Sequence, residues 1–286
     1  LIKKNKIDYI SSYGTLTNNT TIQTTDSQGK KCHFEAGNII LATGARAKGF
    51  PNIEPDGDRI ITYKEAMILE KQPKSMVIIG AGAIGVEFAH FFHTFGTKMT
   101  LIEALPNILP IEDHEISTEL EKIFKKRNMD ILTNTKVNKI EKLKNKVRVH
   151  LEGNDIVESE KALIAVGVQG NIENLGLKEC KIAINNGWIQ INEFMETSQN
   201  NVYAIRDVAG PPWLAHKAST EGIIAVEHLA GLSPKPMRYD NIPGCTYCHP
   251  EVASVGLTEK MAKEQGYELK IGKFPFRGLG KAMAAG

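Results

Sequence analysis

The chain has 286 residues, of which 42% are hydrophobic and 24% charged, and its formal net charge is +2. This is an ordinary composition for a globular protein, and the length predicts about two domains. The small net charge indicates neither a nucleic-acid partner nor a charged membrane surface. No run reaches the ~18 consecutive apolar residues of a membrane-spanning helix, so neither partner class is predicted.

The sequence starts without Met, shows no signal-peptide pattern and stops after "GLGKAMAAG". We therefore expect an internal piece of a longer protein. Its cysteines are Cys32, Cys180, Cys245 and Cys248. Four cysteines in a chain of this length do not suggest a disulfide framework, and they favour a reducing compartment.

Short β-type runs and turns alternate in residues 1–47, with a hairpin predicted around residues 27–29. "NIILATGA" predicts an apolar strand over residues 39–42, stopped by Gly44. "YKEAMILEK" predicts a short helix. The preceding "FPNIEPDGD", residues 50–58, is a candidate domain boundary because of its prolines and glycine.

Residues 76–103 predict a strand, a helix and a second strand, from "SMVIIG", "AIGVEFAHFFHTF" and "KMTLIE". Gly96 is expected to end the helix in a left-handed conformation. Asp113 is a candidate cap for another helix. The apolar residues of that helix should share one face; they are Ile116, Leu120, Ile123 and Phe124.

Further strands are expected around residues 131–132, 147–151 and 162–166 and in "GWIQIN". The stretch "NNVYAIRDVAG" predicts an apolar strand, residues 202–205, that ends at Arg206 and Asp207. A helix should run from about His216 to Leu229, and residues 241–286 should begin an α+β unit. A strand that ends at a lone acid can deliver a carboxylate to a cofactor hydroxyl, but the arginine before that acid is unexpected.

Gly80, Gly82 and Gly85 form a G-x-G-x-x-G motif between the predicted strand and helix. In a dinucleotide site the first glycine allows the turn, the second lets the backbone approach a pyrophosphate, and the third lets helix and strand pack closely. The start of the helix then offers N–H groups to the phosphates. The alternative is a glycine-rich turn without a ligand.

Glu103 lies about 20 residues after the motif, where such sites carry an acid for the adenosine ribose. A carboxylate there would repel a 2′-phosphate, so the sequence favours NAD over NADP. The alternative is a plain surface acid. "NIILATGA" and "KALIAVGVQGN" both end in small-x-Gly, which lets either a ligand or a crossing chain come close.

Cys245 and Cys248 form a C-x-x-C motif, which is half a zinc site or a redox pair. No second pair accompanies them, and the segment does not open a helix that would activate a thiol. We predict no metal site. His216 differs from the other histidines because it starts a helix soon after Asp207, where it could lie over a ligand.

The motifs "ILATGA", "VIIGAGAIGVEF", "LIAVG", "NVYAI-DVAGPPWLAHKASTEG" and "IPGCTYCHPEVASVGLTE" resemble, in this order, those of the flavin disulfide reductases, and among them the dihydrolipoamide dehydrogenases. The resemblance covers essentially the whole chain. It implies an α/β fold with two Rossmann-like three-layer nucleotide-binding domains, plus the start of an α+β dimerisation domain. The implied boundaries are 1–68 for an incomplete FAD domain, 69–169 for an inserted NAD domain, 170–240 for the return to the FAD domain, and 241–286 for the dimerisation domain.

The resemblance also implies site residues. Glu87 matches a catalytic acid that lies near the flavin and nicotinamide and pairs with a lysine. The implied FAD contacts are Gly14, Thr43, Gly44, Asp207, Trp213, Leu214, Ala215 and His216. The implied NAD contacts are Gly80, Ala81, Gly82, Ala83, Ile84, Gly85, Val86, Glu87, Glu103, Val137 and Gly167.

The activity that the resemblance implies is oxidation of dihydrolipoamide through a disulfide and FAD, with hydride passed to NAD. Such enzymes are homodimers, act on lipoyl domains and dock on the acyltransferase core of 2-oxo acid dehydrogenase complexes. The implied location is the bacterial cytoplasm or the mitochondrial matrix. Alternatives are another enzyme of the fold, such as an NADH oxidase or transhydrogenase, and a non-catalytic nucleotide-binding fragment.

The chain departs from the family pattern in two respects. The first G-x-G-x-x-G, the C-x(4)-C redox pair, the lysine partner of Glu87 and the His-Glu pair are not found in it. We therefore expect the piece to be inactive alone. Arg206 also stands where the family has glycine, and we expect this side chain to weaken FAD binding.

Overall fold

A computed structural model of the chain describes residues 1–51 and 53–285. The strands are β1 (Tyr13–Leu16), β2 (Thr21–Thr25), β3 (Lys31–Glu35), β4 (Ile39–Leu41), β5 (Ala45–Ala47), β6 (Ile60–Ile61), β7 (Ser75–Ile79), β8 (Lys98–Ile102), β9 (Asp130–Leu132), β10 (Val137–Lys142), β11 (Val147–Leu151), β12 (Ile156–Ser159), β13 (Lys161–Ile164), β14 (Val168–Gly170), β15 (Ile184–Asn185), β16 (Trp188–Ile189), β17 (Val202–Ala204), β18 (Gly244–Thr246) and β19 (Val252–Ser254). The helices are α1 (Tyr63–Ala66), α2 (Ala83–Thr94), α3 (His114–Lys126), α4 (Ala215–Leu229), α5 (Glu259–Glu264) and α6 (Gly280–Ala285).

The largest sheet is parallel and has the strand order β6-β13-β7-β8-β9. Its central strand β7 is almost continuously apolar, as expected for a strand covered on both faces. Ile78 belongs to the core shared with α2 and α3. Val77 and Ile79 belong to a second core shared with the antiparallel sheet β10-β11-β12. The result is a three-layer unit with helices on one face and a small sheet on the other.

The helices α2 and α3 follow the sequence pattern closely. Gly96, with φ +91°, comes directly after the C-cap of α2. Asp113 caps α3 by accepting a hydrogen bond from the Glu115 amide. Both predictions are confirmed.

The predicted apolar face of α3 is only partly correct. Leu120 and Phe124 are buried, but Ile116 is 48% exposed. Ser117 takes the core position instead, because residues 117, 120 and 124 follow the i, i+3, i+7 spacing of one helix face. Its hydroxyl is satisfied there by the Leu109 carbonyl at 3.1 Å.

Two predicted elements are shorter in the structure. Helix α1 covers only Tyr63–Ala66, with Thr62 and Glu65 in a reciprocal capping box. Met67 and Ile68 beyond it are 65% and 78% exposed, so little packing is available to continue a helix. The run "GWIQIN" contributes only the two-residue strand β16.

A second unit is built from the segments on either side of the parallel sheet. Strands β1, β2 and β3 form an antiparallel sheet, and the β2–β3 hairpin has the predicted turn, in which Asp26 accepts from the Gln28 and Lys30 amides. Strand β17 pairs in parallel with β4, although about 160 residues separate them in the chain. Strands β5 and β14, where the chain crosses between the units, pair with each other in antiparallel fashion.

Residues from β18 to α6 form the last segment. Its β18–β19 hairpin packs Cys248 and Val252 into the core under α2 and α3. The Arg127 guanidinium donates to the His249 carbonyl at 2.5 Å, and the Glu259 amide donates to the Asp113 carboxylate. Over the described residues, no helix combines the length and apolar character needed to cross a membrane.

Candidate nucleotide-binding sites

The first candidate site lies at the carboxyl edge of the parallel sheet. Gly80, Glu103 and Ala165 directly follow β7, β8 and β13, which are adjacent in the sheet. The chain leaves β7 through α2 toward β8, whereas β13 lies on the other side of β7. Open α/β sheets bind ligands in the crevice at such a reversal of strand order.

Packing explains two of the three motif glycines, and open space surrounds the third. A Cβ on Gly80, whose φ is +99°, would lie 2.4 Å from the Ala165 carbonyl oxygen. A Cβ on Gly85 would lie 1.9 Å from the Gly80 carbonyl oxygen, so α2 could not pack on the turn. A Cβ on Gly82 would meet no heavy atom within 4 Å. Gly82 therefore faces space that a ligand could enter.

Helix α2 begins at this turn with Gly82 as its N-cap, and among the described residues no side chain caps it. The first intrahelical bond is from the Val86 amide to the Gly82 carbonyl, at 3.0 Å. The amides of the first turn thus point toward the crevice without a side-chain acceptor. With the positive end of the helix dipole, they suit a diphosphate.

Glu103 is not a surface acid, because its side chain is buried at the end of β8. Its two carboxylate oxygens accept hydrogen bonds from the Ala81 amide at 2.7 Å and the Leu105 amide at 2.9 Å. The acid therefore links β8 to the glycine turn and is held in one orientation. Each oxygen retains acceptor capacity for a ligand hydroxyl, so the residue fits a ribose.

The remaining predicted NAD contacts differ in position. Ala81 and Val86 are fully buried in the core, so only their backbone could face a ligand. Gly167, with φ +105°, follows β13 and has open space where a Cβ would lie. Val137 starts β10; two residues before it, the Thr135 amide donates to the Glu103 carbonyl at 2.9 Å, which brings this connection against the acid.

Glu87 lies half-buried on α2, in the turn after the N-terminus. Its carboxylate accepts a hydrogen bond from the Tyr247 amide at 2.8 Å, so the β18–β19 hairpin fixes its orientation. Cys248, next in that hairpin, is buried, and burial together with the Glu87 charge raises the pKa of its thiol to about 11. Cys245 and Cys248 are not bridged to each other, and the hairpin uses Cys248 as a core residue.

The second candidate site lies at the carboxyl ends of the paired strands β4 and β17, which Thr43, Gly44 and Asp207 follow in the chain. Asn171, just after β14, binds the backbone of Thr43 and Gly44. Its side-chain amide donates to the Thr43 carbonyl at 2.9 Å, and its backbone amide donates to the Gly44 carbonyl at 3.0 Å. Gly44 has φ +70° and no neighbour at a Cβ position. Among the described residues, none donates to the Asp207 carboxylate.

Trp213, Leu214, Ala215 and His216 lie at the start of α4, with Leu214 as an N-cap that offers no side-chain bond. Trp213 packs on Trp188, with ring centroids 5.3 Å apart. The His216 ring nitrogen Nε2 lies 3.0 Å from the Pro243 carbonyl oxygen, so this exposed ring contacts the next segment. Gly14 is on β1, in a different sheet from β4 and β17.

Arg206 adopts the left-handed conformation, with φ +69°. Its side chain is exposed, and its amide and carbonyl both bind buried side chains of α4: Glu221 accepts from the amide at 2.8 Å and Lys217 donates to the carbonyl at 3.1 Å. The sequence analysis did not single out Lys217, Glu221 or Asn171. Only the i, i+4 spacing of Lys217 and Glu221 within "HKASTEG" could have indicated an ion pair, and nothing local indicated Asn171.

Over residues 1–51 and 53–285, the structure contains no group of three or more His, Cys, Asp or Glu side chains that could hold a metal ion. The two candidate sites consist of glycines, the N-termini of helices and one acid each, Glu103 in the first and Asp207 in the second.

Sequence comparison gives the family. Residues 1–222 match the model of the pyridine nucleotide-disulphide oxidoreductases, and residues 242–286 match the dimerisation domain of the same proteins. The chain belongs to this family. The pyridine nucleotide-disulphide oxidoreductase match covers both candidate sites described above. The dimerisation-domain match covers the β18–β19 hairpin, whose Tyr247 amide donates to the Glu87 carboxylate.

Curated relatives include the dihydrolipoyl dehydrogenases of Zymomonas mobilis, 45% identical over 291 residues, and Bacillus subtilis, 42% identical over 299 residues. Each match covers 100% of this chain but 62% and 63% of the relative. The chain thus spans less than two thirds of the length of these relatives.

Solved structures show the same fold. LpdA from Mycobacterium tuberculosis superposes with a TM-score of 0.92 at 25% identity, over 99% of this chain and 63% of that one. The HOCl-induced flavoprotein disulfide reductase RclA from Escherichia coli gives 0.87 at 27% identity, over 98% of this chain and 64% of that one. The α/β fold with a dimerisation segment is therefore confirmed.

Proposed function

We propose that this chain is the NAD-binding part, and a portion of the FAD-binding part, of a dihydrolipoyl dehydrogenase. The observation that carries the proposal is the match over the entire chain to dihydrolipoyl dehydrogenases, among them that of Zymomonas mobilis at 45% identity. The geometry of both crevices supports it. The proposed units are those of the sequence, namely 1–68 and 170–240 for FAD, 69–169 for NAD and 241–286 for dimerisation.

The proposed NAD site uses the carboxyl edge of the parallel sheet. The diphosphate would lie on the first turn of α2, where Gly82 leaves space and no side chain of the described residues accepts from the amides. Glu103 would accept hydrogen bonds from the adenosine ribose, and its fixed charge would disfavour a 2′-phosphate. Gly167 and Val137 border the same edge from the neighbouring strands. This arrangement favours NAD over NADP.

The proposed FAD site uses the ends of β4 and β17. Asp207, which has no donor among the described residues, would accept hydrogen bonds from hydroxyls of the flavin side chain. Thr43 and Gly44 would border the ligand through backbone held by Asn171. The start of α4, with Trp213, Leu214, Ala215 and His216, would complete the described part of the site, and Gly14 would contribute from β1.

FAD held at this site would supply two-electron redox chemistry between a substrate dithiol and the nicotinamide. The chain itself would supply Glu87, an acceptor whose carboxylate is held by the Tyr247 amide on the helix that begins at the nucleotide. Its four cysteines are all free, and none forms the redox pair that dithiol oxidation needs. We therefore propose that the 286-residue chain binds nucleotide without turning over dihydrolipoamide.

The proposed partners are those of a complete enzyme of this kind. The dimerisation-domain match supports a homodimer. The lipoyl domain would be the substrate carrier, and the acyltransferase core of a 2-oxo acid dehydrogenase complex would be the docking site. The proposed location is the bacterial cytoplasm or the mitochondrial matrix.

A steady-state assay tests this proposal. The product of the complete gene and the 286-residue chain are each given dihydrolipoamide and NAD, and NADH formation is followed. We expect turnover by the complete product and none by the chain. A complete product that oxidises NADH with oxygen or exchanges hydride between nucleotides, but leaves dihydrolipoamide unchanged, would contradict the proposal. Dihydrolipoamide turnover by the isolated chain would contradict its second part.

A further inference from the structure

A buried ion pair on α4 contacts the turn that carries Asp207. Lys217 and Glu221 are one helical turn apart, and their side chains are 0% exposed, with Nζ and Oε1 3.0 Å apart. Burying two charges is costly, and an apolar pair is often as stable. A buried pair therefore calls for a role beyond filling the core.

The hydrogen bonds of the pair go to the two ends of the turn. Lys217 donates to the carbonyls of Arg206 at 3.1 Å and Gly210 at 2.8 Å. Glu221 accepts from the Arg206 amide at 2.8 Å. The pair thus holds residues 206–210 by three backbone groups while leaving the Asp207 side chain free.

Tyr239 completes the arrangement from the next segment. Its hydroxyl donates to the second Glu221 oxygen at 2.8 Å. Burial and this hydrogen bond raise the pKa of the phenol, so it stays a donor at neutral pH. Each oxygen of the buried carboxylate therefore has its own donor, and the acid cannot rotate away from the turn without losing both.

The held turn contains a strained residue. Arg206 has φ +69°, and a left-handed non-glycine residue persists only where the surroundings determine its conformation. Here both backbone polar groups of the residue are bound by the same ion pair. Without that pair, the turn could relax toward negative φ and redirect the next residue, Asp207.

We propose that Lys217 and Glu221, supported by Tyr239, are positioning residues that set the 206–210 turn so that Asp207 faces the flavin nucleotide. The identity of the ligand as a flavin nucleotide rests on the proposed function. The effect of the ion pair on the turn does not. The pair itself does not contact the ligand in this proposal; it acts through Arg206 and Gly210.

The test compares three forms of the chain. One is unsubstituted, one carries Lys217→Met with Glu221→Leu, and a matched control carries Lys125→Met with Glu121→Leu. The control removes another i, i+4 pair, on α3, with Nζ and Oε1 2.7 Å apart. Apolar replacement of both partners avoids an unpaired buried charge, so we expect a folded protein. Tyr239→Phe serves as a milder variant that removes one hydrogen bond.

Two measurements are made on each form: amide hydrogen exchange of peptides covering 206–210, and dissociation constants for FAD and NAD. In the Lys217/Glu221 double variant we expect exchange in this turn to be at least about tenfold faster. The Arg206 amide loses its acceptor, and the Arg206 and Gly210 carbonyls lose the donor that holds the two ends of the turn. We expect FAD affinity to fall by about tenfold or more with NAD affinity unchanged. A merely structural role would affect both nucleotides alike. The control should match the unsubstituted chain, and Tyr239→Phe should lie between.

Unchanged exchange in the 206–210 turn of a folded double variant would overturn the proposal, and so would faster exchange with unchanged FAD affinity. If the unsubstituted chain binds no FAD, the flavin assignment fails for this chain, and the exchange data still decide whether the pair sets the turn. If the double variant does not fold, the same two measurements on Tyr239→Phe decide: an unchanged turn and unchanged FAD affinity would overturn the proposal.

Discussion

Arg206 shows how much one backbone angle can matter at a strand end. The sequence raised the question of why a cation precedes the acid, and the structure shows an exposed side chain on a left-handed backbone, with φ +69°. The arginine itself makes no described hydrogen bond through its guanidinium. The conformation therefore comes from the turn and not from the side chain, and it is one that glycine adopts without the steric cost of a Cβ.

Replacing Arg206 with Gly should stabilise the chain and improve flavin occupancy. Removing the Cβ relieves left-handed strain of about 1 kcal/mol, partly offset by the greater freedom of glycine in the unfolded state. We expect the free energy of unfolding in urea to rise by a few tenths to about 1 kcal/mol and the flavin content of the complete protein to increase. Lys181→Gly is the control, since Lys181 is also left-handed, with φ +56°. It should change stability without changing flavin content; equal flavin content in the Arg206→Gly variant and the unsubstituted protein would refute the prediction.

The site residues that the sequence could predict are those in a local pattern. Glycine spacing and the distance to Glu103 are properties of a single strand–helix–strand unit, so they are visible in the sequence. The hydrogen bond by which the Ala81 amide orients Glu103 could not be predicted from the sequence. The contact of Lys217 with the Arg206 carbonyl could not be predicted either. Both join parts of the chain whose relation depends on the packed fold.

Helix α3 shows what is predictable at the scale of one element. Its start followed from Asp113, because a short side-chain acceptor directly before an apolar periodic run favours an N-cap. Its core face was misassigned by one position, since Ile116 and Ser117 are both compatible with the period and only the packing against Leu109 distinguishes them. The same cap also binds the Glu259 amide, so it joins α3 to the last segment.

Asp113→Ala should lower the free energy of unfolding by about 1–2 kcal/mol at pH 7. The bonds from the Glu259 and Glu115 amides hold the pKa of Asp113 below its usual value. A depressed folded pKa means that this stabilisation is present above the unfolded pKa of ~3.9 and is lost as pH falls through the folded value. Urea unfolding of the Asp113→Ala variant and the unsubstituted chain at pH 7 and pH 2.5 measures the difference in the free energy of unfolding, which should be smaller at pH 2.5. Asp155→Ala, at an exposed position, is the control; an equal loss at both pH values would contradict the cap.

At the scale of the whole molecule, the chain passes between the two units at β5 and at β14, and these two strands pair with each other. Arg46 on β5 reaches past β14 to bind Glu173 through two nitrogens, at 2.5 and 2.8 Å, and also the Gly170 carbonyl. This connection joins the two units that carry the two nucleotide crevices. The sequence predicted the strands that precede these crossings, residues 39–42 and 162–166, but neither β5 nor β14. Their pairing joins residues more than 120 positions apart, and antiparallel pairing at that distance leaves no local signal.

Arg46→Met should lower stability by about 1 kcal/mol at neutral pH, the upper range for a partly exposed ion pair. The hydrogen bond from Arg46 lowers the pKa of Glu173. The contribution is therefore complete above the unfolded pKa of ~4.3 and is lost as pH falls through the folded pKa. Thermal unfolding at pH 7 and pH 3 should show a smaller difference at pH 3. Arg277→Met, in a short turn of the last segment, should show little change; a difference that grows at low pH would be the wrong sign.

Calorimetric titration of the 286-residue chain with NAD and with NADP tests the central claim, because nucleotide choice depends directly on the crevice at Gly82 and Glu103. We expect NAD to bind at least about tenfold more tightly than NADP, a difference of about 1.4 kcal/mol, and Glu103→Gln to reduce that preference, whereas Glu152→Gln, an exposed acid, should leave it intact. Equal or tighter binding of NADP, or no binding of either nucleotide by the folded chain, would contradict the account.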